Sequence, residues 1–329
     1  DHGTAAPHFV IGDHVKGGLH GAQPSLVNLD NDGNFVPSVD FHQMYAPILK
    51  TWLGVDDHAV LGKAYSPLGL FKSGPGLPPP IVKTPRPPAT TGYWLAGPDG
   101  HIHGFGTAIK FGSLARVALP IVAGARTPSH KGLWLAGSDG GIFSFGDARF
   151  FGSTGAVRLN KPIVAMASTP KARGYWLCAS DGGIFAYGDA RFYGSTGNIR
   201  LNKPIVAMAS TPSGKGYWLC ASDGGIFAYG DARFYGSTGN IRLNKPIVAM
   251  ASTPSGKGYW LCASDGGIFN YGDAKFHGAT VPTSAAVCGF AASGTGKGYW
   301  MAARDGVVAA FGDAPVLGRA TESTSVLVA

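Results

Sequence analysis

The chain has 329 residues, of which Gly accounts for 51 and Pro for 23, aromatic residues for 11% and charged residues for only 14%. This composition describes a turn-dense, β-rich globular protein and excludes a disordered chain. No apolar run approaches the length of a membrane span, although the formal net charge of +8 leaves anionic partners open.

The chain starts at Asp1 without a Met or a signal-peptide pattern, which reads as a processed or excised piece. Residues 1–75 hold six of the ten His. His2, His8, His14 and His20 recur every six residues, a spacing that no helix places on one face, and chance is the better reading. Asn28-Leu29-Asp30-Asn31-Asp32-Gly33 has the opening of a calcium loop, but Val39 stands where the bidentate acid belongs, so an Asp-rich turn is the stronger reading. Phe41, Met44, Tyr45, Ile48, Leu49 and Trp52 follow a 3-and-4 spacing, which predicts one amphipathic helix over residues 40–53 packed on its own module. Ser73 to Pro80 is a Pro/Gly cluster that reads as a semi-rigid linker.

The strings Asp1-His2-Gly3 to Gly12, Lys16-Gly17-Gly18-Leu19, and Asp40-Phe41 to Gly54 resemble the C-terminal end of an uncharacterised secreted bacterial family related to alkaline phosphatases and sulfatases. That resemblance implies that residues 1–72 are the remnant of such a domain, a small α/β segment. It also implies metal ligation at Asp1 and His2, where a divalent Zn or Mn would belong only if the segment were part of an intact hydrolase. The nucleophile and further carboxylates of such a site would have to precede Asp1, so a structural or vestigial remnant is expected.

From residue 81 onward the sequence is six copies of one unit, marked by Gly92-Tyr93-Trp94, Gly132-Leu133-Trp134, Gly174-Tyr175-Trp176, Gly216-Tyr217-Trp218, Gly258-Tyr259-Trp260 and Gly298-Tyr299-Trp300. Residues 162–203 and 204–245 differ only at Lys171-Ala172-Arg173 against Ser213-Gly214-Lys215, a mark of recent duplication. Each unit divides into four apolar runs, represented by Ile205–Ser210, Tyr217–Ala221, Ile226–Tyr229 and Arg233–Gly236. Asp223-Gly224-Gly225 and Gly230-Asp231 supply the hairpin turns between the later runs. The two middle runs are apolar at nearly every position, which predicts strands buried on both faces. The small Ala207, Ala209 and Ser210 suit the crowded region near an axis, and Phe227, Tyr229, Phe234 and Tyr235 the wider periphery. The expected fold is an all-β propeller of six or seven four-stranded blades over residues 81–329. Helical arrays are excluded by the missing 3.6 period, and a β-solenoid is disfavoured by the length of the unit.

The strings Gly-Tyr-Trp-Leu, Ser-Asp-Gly-Gly-Ile-Phe and Tyr-Gly-Asp-Ala-Arg-Phe-Tyr-Gly-Ser-Thr-Gly resemble a propeller-forming repeat of secreted and cell-surface actinobacterial proteins over residues 81–320. The resemblance implies a secreted or cell-surface bacterial location and carries no agreed activity. Gly106-Thr107 and Arg304-Asp305-Gly306-Val307 depart from the pattern in the terminal copies. Cys178, Cys220 and Cys262 fall at one place in successive repeats, a poor geometry for pairing, and read as small buried thiols. Cys288 has no counterpart, and the cysteines leave the redox compartment open.

Residues 81–329 hold 23 Lys and Arg against 12 acids, and 11 of those acids are Asp of the two turns, expected to bond nearby backbone amides. Arg158, Lys161, Arg200, Lys203, Arg242 and Lys245 lie in equivalent connections between units, which predicts a partial basic ring on one face. Such a ring suits an anionic cell-wall polymer such as a teichoic acid, an acidic glycan or a protein partner, and a merely solvated basic face accounts for it equally well. Nucleic acid is the weaker partner because no nucleic-acid module is present. Repetition argues against catalysis, which needs unlike groups at one place. The primary expectation is therefore an extracellular, non-catalytic binding or scaffold module. The alternative is the C-terminal part of a metal-dependent phosphatase- or sulfatase-like hydrolase with the propeller as an accessory.

Overall fold

The computed structural model describes residues 15–18, 20, 27, 29–31, 36, 39–52, 56–71, 91–279 and 285–329. The chain divides into two compact units, Asp1–Thr84 and Pro85–Ala329.

In the first unit, α1 (Phe41–Pro47) starts at Asp40, whose side chain accepts from His42 N–H while Gln43 returns a bond to the Asp40 amide. Pro47 has no N–H, so it leaves the Gln43 carbonyl unused within the helix. Leu68 N–H occupies that carbonyl at 3.0 Å. Beyond Pro47 the backbone widens into a π-helical turn, Ile48–Trp52. The single amphipathic helix expected here is thus broken at its proline. Its apolar face is also only partly covered, with Ala46 and Pro47 buried but Phe41 54% exposed and Tyr45 exposed. A short α2 (Asp57–Leu61) ends at Gly62 in the left-handed region, φ 77°. The strand content among the described residues of this unit is bridging only, as at Val15 and Phe71. Of the calcium-like loop only Leu29, Asp30 and Asn31 are among the described residues.

The second unit is a repeat of three-stranded antiparallel sheets. Its strands are β1 (Gly92–Ala96), β2 (Ile102–Gly106), β3 (Ile121–Arg126), β4 (Gly132–Gly137), β5 (Ile142–Gly146), β6 (Ile163–Ser168), β7 (Gly174–Ala179), β8 (Ile184–Gly188) and β9 (Ile205–Ser210). They continue as β10 (Gly216–Ala221), β11 (Ile226–Gly230), β12 (Ile247–Ser252), β13 (Gly258–Ala263), β14 (Ile268–Gly272), β15 (Val287–Ala292), β16 (Gly298–Ala303), β17 (Val308–Gly312) and β18 (Val326–Val328). Among the described residues these form six sheets, and in five of them the strands follow chain order. The sixth, β18-β1-β2, joins the two ends of the repeat region, with Trp94 opposite Val328 and Ala96 opposite Val326. The first strand of each sheet neighbours its counterparts on either side: β3 meets β6, then β9, β12, β15 and β18, and β18 meets β3 again. The ring is therefore closed, and the architecture is propeller-like.

The middle strand of each sheet is buried at every position, as in Gly216–Ala221. The third strand is only half-buried, which corrects the expectation that both would be enclosed. The fourth run, Arg233–Gly236, forms no ladder. Its backbone is instead held by side chains. Trp218 Nε1 donates to Arg233 O at 2.7 Å from its own sheet. From the next sheet, Tyr259 OH donates to Gly236 O at 2.6 Å and accepts from Tyr235 N–H at 3.1 Å. The Gly-Tyr-Trp marker thus fixes two neighbouring fourth runs at once. Phe234, expected in the periphery, is 61% exposed there. At Gly236, φ is 138° and a Cβ would lie 2.3 Å from the ring of Tyr271, so only glycine fits.

Between sheets, Met208 of β9 packs against Ala165 and Ala167 of β6, and Met250 against Ala207 and Ala209. At the closing sheet the sizes are reversed. β18 presents Val326, Leu327 and Val328, while Gly124 replaces the methionine in β3 and Gly289 replaces an alanine in β15. A Cβ on Gly124 would lie 2.9 Å from Val328 Cγ2, and one on Gly289 would lie 2.6 Å from Leu327 Cβ. Cys178, Cys220 and Cys262 are free and buried, and Cys288 is free and half-buried. Burial pushes all four thiols up.

Candidate functional site

Alternation of strand direction sends successive loops to opposite rims of the ring. One rim carries the Asp223-Gly224-Gly225 hairpin together with the connection to the next sheet, since Thr238 N–H donates to Gly224 O at 3.2 Å and Ile247 N–H to Ser222 O at 2.8 Å. The other carries the Thr211–Gly216 loop together with the Gly230-Asp231 turn, joined where Thr211 Oγ1 donates to Asp231 Oδ1 at 2.8 Å.

All six cations singled out in the sequence lie on the first rim. Arg158, Lys161, Arg200, Lys203, Arg242 and Lys245 are exposed, in the connections that precede β6, β9 and β12. The ion pairs found among the described residues join His42 to Asp40, His101 to Asp99 and His103 to Glu322, so none of the six is neutralised by a carboxylate there. Each connection is shaped by a buried threonine, as where Thr238 Oγ1 donates to Asp223 O at 2.9 Å. The other three connections differ. All three are shorter, with Arg116 in one, Arg319 and Glu322 in another, and no cation in the third, Thr280 to Ala286. The structure thus brings the six together as an arc over half of one rim rather than a full ring.

The two kinds of turn Asp behave differently. In the hairpins, Asp223 Oδ1 accepts from Gly225 N–H at 3.0 Å, the amide bonding expected. In the second turn, Asp231 is held by hydroxyls instead, from Thr211 at 2.8 Å and Ser213 at 2.5 Å. Its counterpart Asp147 shows the balance: burial works against ionisation, but the Ser129 and Thr127 hydroxyls outweigh it and keep the carboxyl below its ordinary range.

The sequence reading passed over the second rim, which displays Arg149, Arg191, Arg233 and Lys275 beside Lys131, Arg173, Lys215, Lys257 and Lys297. The signal was the same repeat period, but only the topology assigns these cations to a face of their own. It also passed over Arg126, which stands in the position of Ser168, Ser210 and Ser252. Those serines donate to the preceding inner strand at 3.2, 3.3 and 3.4 Å. Arg126 Nε donates to the Ala329 carbonyl. Burial lowers the Arg126 guanidinium, and burial together with the nearby Arg126 charge lowers His130.

Asp1 and His2, the metal positions implied by resemblance, lie outside the described residues. Among the described residues no group of three or more His, Cys, Asp or Glu is placed to hold a metal ion. Among them also, no helix is long and apolar enough to cross a membrane.

No family model matches the chain, and no curated protein matches it. Among solved structures, the β-propeller domain of Cps50 (Swd1) from Myceliophteria thermophila is similar at 13% identity, with a TM-score of 0.43 over 68% of this chain and 82% of that one. The bacterial secreted or cell-surface location expected from the repeat string does not stand. Physically, the residues of the string prove to be turn and packing residues, such as Gly236, Thr238, Tyr217 and Trp218, which set a fold and not an address.

Proposed function

We propose that residues 91–329 are a six-bladed β-propeller, each blade three paired strands plus a tethered fourth run, acting as a non-catalytic binding module for an anionic polymer. The observation that carries this reading is the arc of Arg158, Lys161, Arg200, Lys203, Arg242 and Lys245, exposed and, among the described residues, without carboxylate partners in three successive, nearly identical connections. Equally spaced like charges attract a chain with equally spaced opposite charges, and each added contact raises avidity without a new fold. Long-chain polyphosphate, a polyanion without sugar, is the probe. Retention should weaken steeply with salt, because exposed pairs are screened within about 10 Å at 0.1 M ionic strength. Arg158→Ala/Arg200→Ala/Arg242→Ala should weaken it about tenfold or more. Binding to polyphosphate that is unchanged in this variant would refute the reading.

A further inference from the structure

The rim opposite the arc carries a notch lined by Asp231, Arg233, Tyr235, Gly256 and Lys257. Arg233 and Lys257 are exposed and Tyr235 is half-buried. Tyr235 OH donates to Gly256 O at 3.2 Å, and both oxygens of Asp231 accept hydroxyls. The junction before it has the same members, Asp189, Arg191, Tyr193, Gly214 and Lys215, with Tyr193 OH on Gly214 O, again at 3.2 Å. The junction after it has Asp273, Lys275, His277, Gly296 and Lys297. There the His277 ring lies 5.5 Å from Tyr299, as Tyr235 lies 5.8 Å from Tyr259, and His277 N–H donates to Tyr299 OH at 3.0 Å. The tyrosines give their hydroxyl to a glycine carbonyl, whereas His277 Nε2 is buried with no hydrogen-bond partner.

Each notch therefore combines two cations, one aromatic ring and one carboxylate that already accepts hydroxyls, two at Asp231 and at Asp273 and one at Asp189. A ligand that matches all of these offers an anionic group, a ring with an apolar face and hydroxyl donors. We propose that this rim is a separate binding site for an acidic polysaccharide, with an acidic sugar residue in each notch. The cations take the carboxylate or sulfate of the sugar, the aspartate accepts its hydroxyls, and the tyrosine ring meets its C–H face. In the third notch His277 Nε2 gains the partner it lacks. A DNA strand satisfies the cations but brings no hydroxyl to the aspartate, so an acidic sugar polymer fits better.

The inference rests on the reading of the molecule as a binder of anionic polymers, and the probes separate the two. The whole chain and two variants are titrated with polygalacturonate oligomers, long-chain polyphosphate, oligodeoxythymidylate and neutral dextran. The expected result is that Arg191→Ala/Arg233→Ala/Lys275→Ala loses about tenfold or more in affinity for polygalacturonate while keeping polyphosphate binding. Arg158→Ala/Arg200→Ala/Arg242→Ala should show the opposite pattern. These side chains are exposed, and Trp176, Trp218 and Trp260 bond only the backbone carbonyls of Arg191, Arg233 and Lys275. Unchanged thermal unfolding is therefore the control. Polygalacturonate affinity that survives in the notch variant, with polyphosphate affinity lost in the arc variant, overturns this site alone. Oligodeoxythymidylate bound more tightly than polygalacturonate overturns the sugar assignment. Binding of neither polyanion overturns both proposals.

Discussion

The hydroxyls of Tyr93 and Tyr217 sit in the apolar seams between sheets, where burial pushes both up to about 12 against the bonds to backbone that lower them. Burial raises Tyr175, Tyr259 and Tyr299 as well. An unfolded chain titrates its tyrosines near about 10, so below that pH folded and unfolded states hold the same protons and this contribution to stability is complete. Between there and about 12 only the unfolded chain ionises, and stability falls as pH rises. A late share of the tyrosinate absorbance should therefore appear together with the loss of circular dichroism; complete ionisation ahead of unfolding would contradict the placement of these rings. A second residue-level expectation concerns the turn after each inner strand. His130 and Ala172 adopt φ of 58° and 51°, where Gly214, Gly256 and Gly296 stand in the later copies. A side chain in the left-handed region costs about 1–2 kcal/mol, and glycine returns part of that as unfolded-state entropy. Ala172→Gly should stabilise by roughly 0.5–1 kcal/mol, seen as a rise of about 2 °C in Tm.

At the level of the element, the fourth run depends on its neighbour. Tyr259→Phe removes the group that donates to Gly236 O and accepts from Tyr235 N–H. It should cost about 1–3 kcal/mol in urea unfolding, with faster hydrogen exchange at Tyr235 before the strands of the sheet open. The first three runs were legible as strands because apolar patterning and Gly turns report ladder pairing directly. The fourth looked the same in pattern, yet its backbone partners are indole and phenol groups that sit elsewhere in sequence and read as core. The predicted helix failed at Pro47 for a similar reason. Its first turns form where the spacing put them, but the missing N–H hands the Gln43 carbonyl to Leu68. The arc was legible because repeat period alone puts equivalent loops on one face, whereas the notches needed the topology that sets turns 230–231 beside loops 253–258 of the next sheet.

At the scale of the whole molecule, the ring closes on a reversal of large and small side chains. Gly124→Met restores the residue found in the neighbouring repeats, yet at this position it drives a side chain into Val328. The expected loss is about 1–3 kcal/mol in denaturant unfolding. Adding Val328→Ala, which restores the repeat pairing, should recover most of it; a double variant as unstable as the single one would show that the sizes are not matched. Because β6, β9 and β12 share one sequence, Ile-Val-Ala-Met-Ala-Ser, none of them records its place in the order. Only β3 and β15 are shaped to flank β18. The seam thus acts as a pair of end markers that interchangeable units separate. A gene that gains or loses one repeat keeps both markers intact, so copy number can drift while the joint that seals the chain is inherited unchanged.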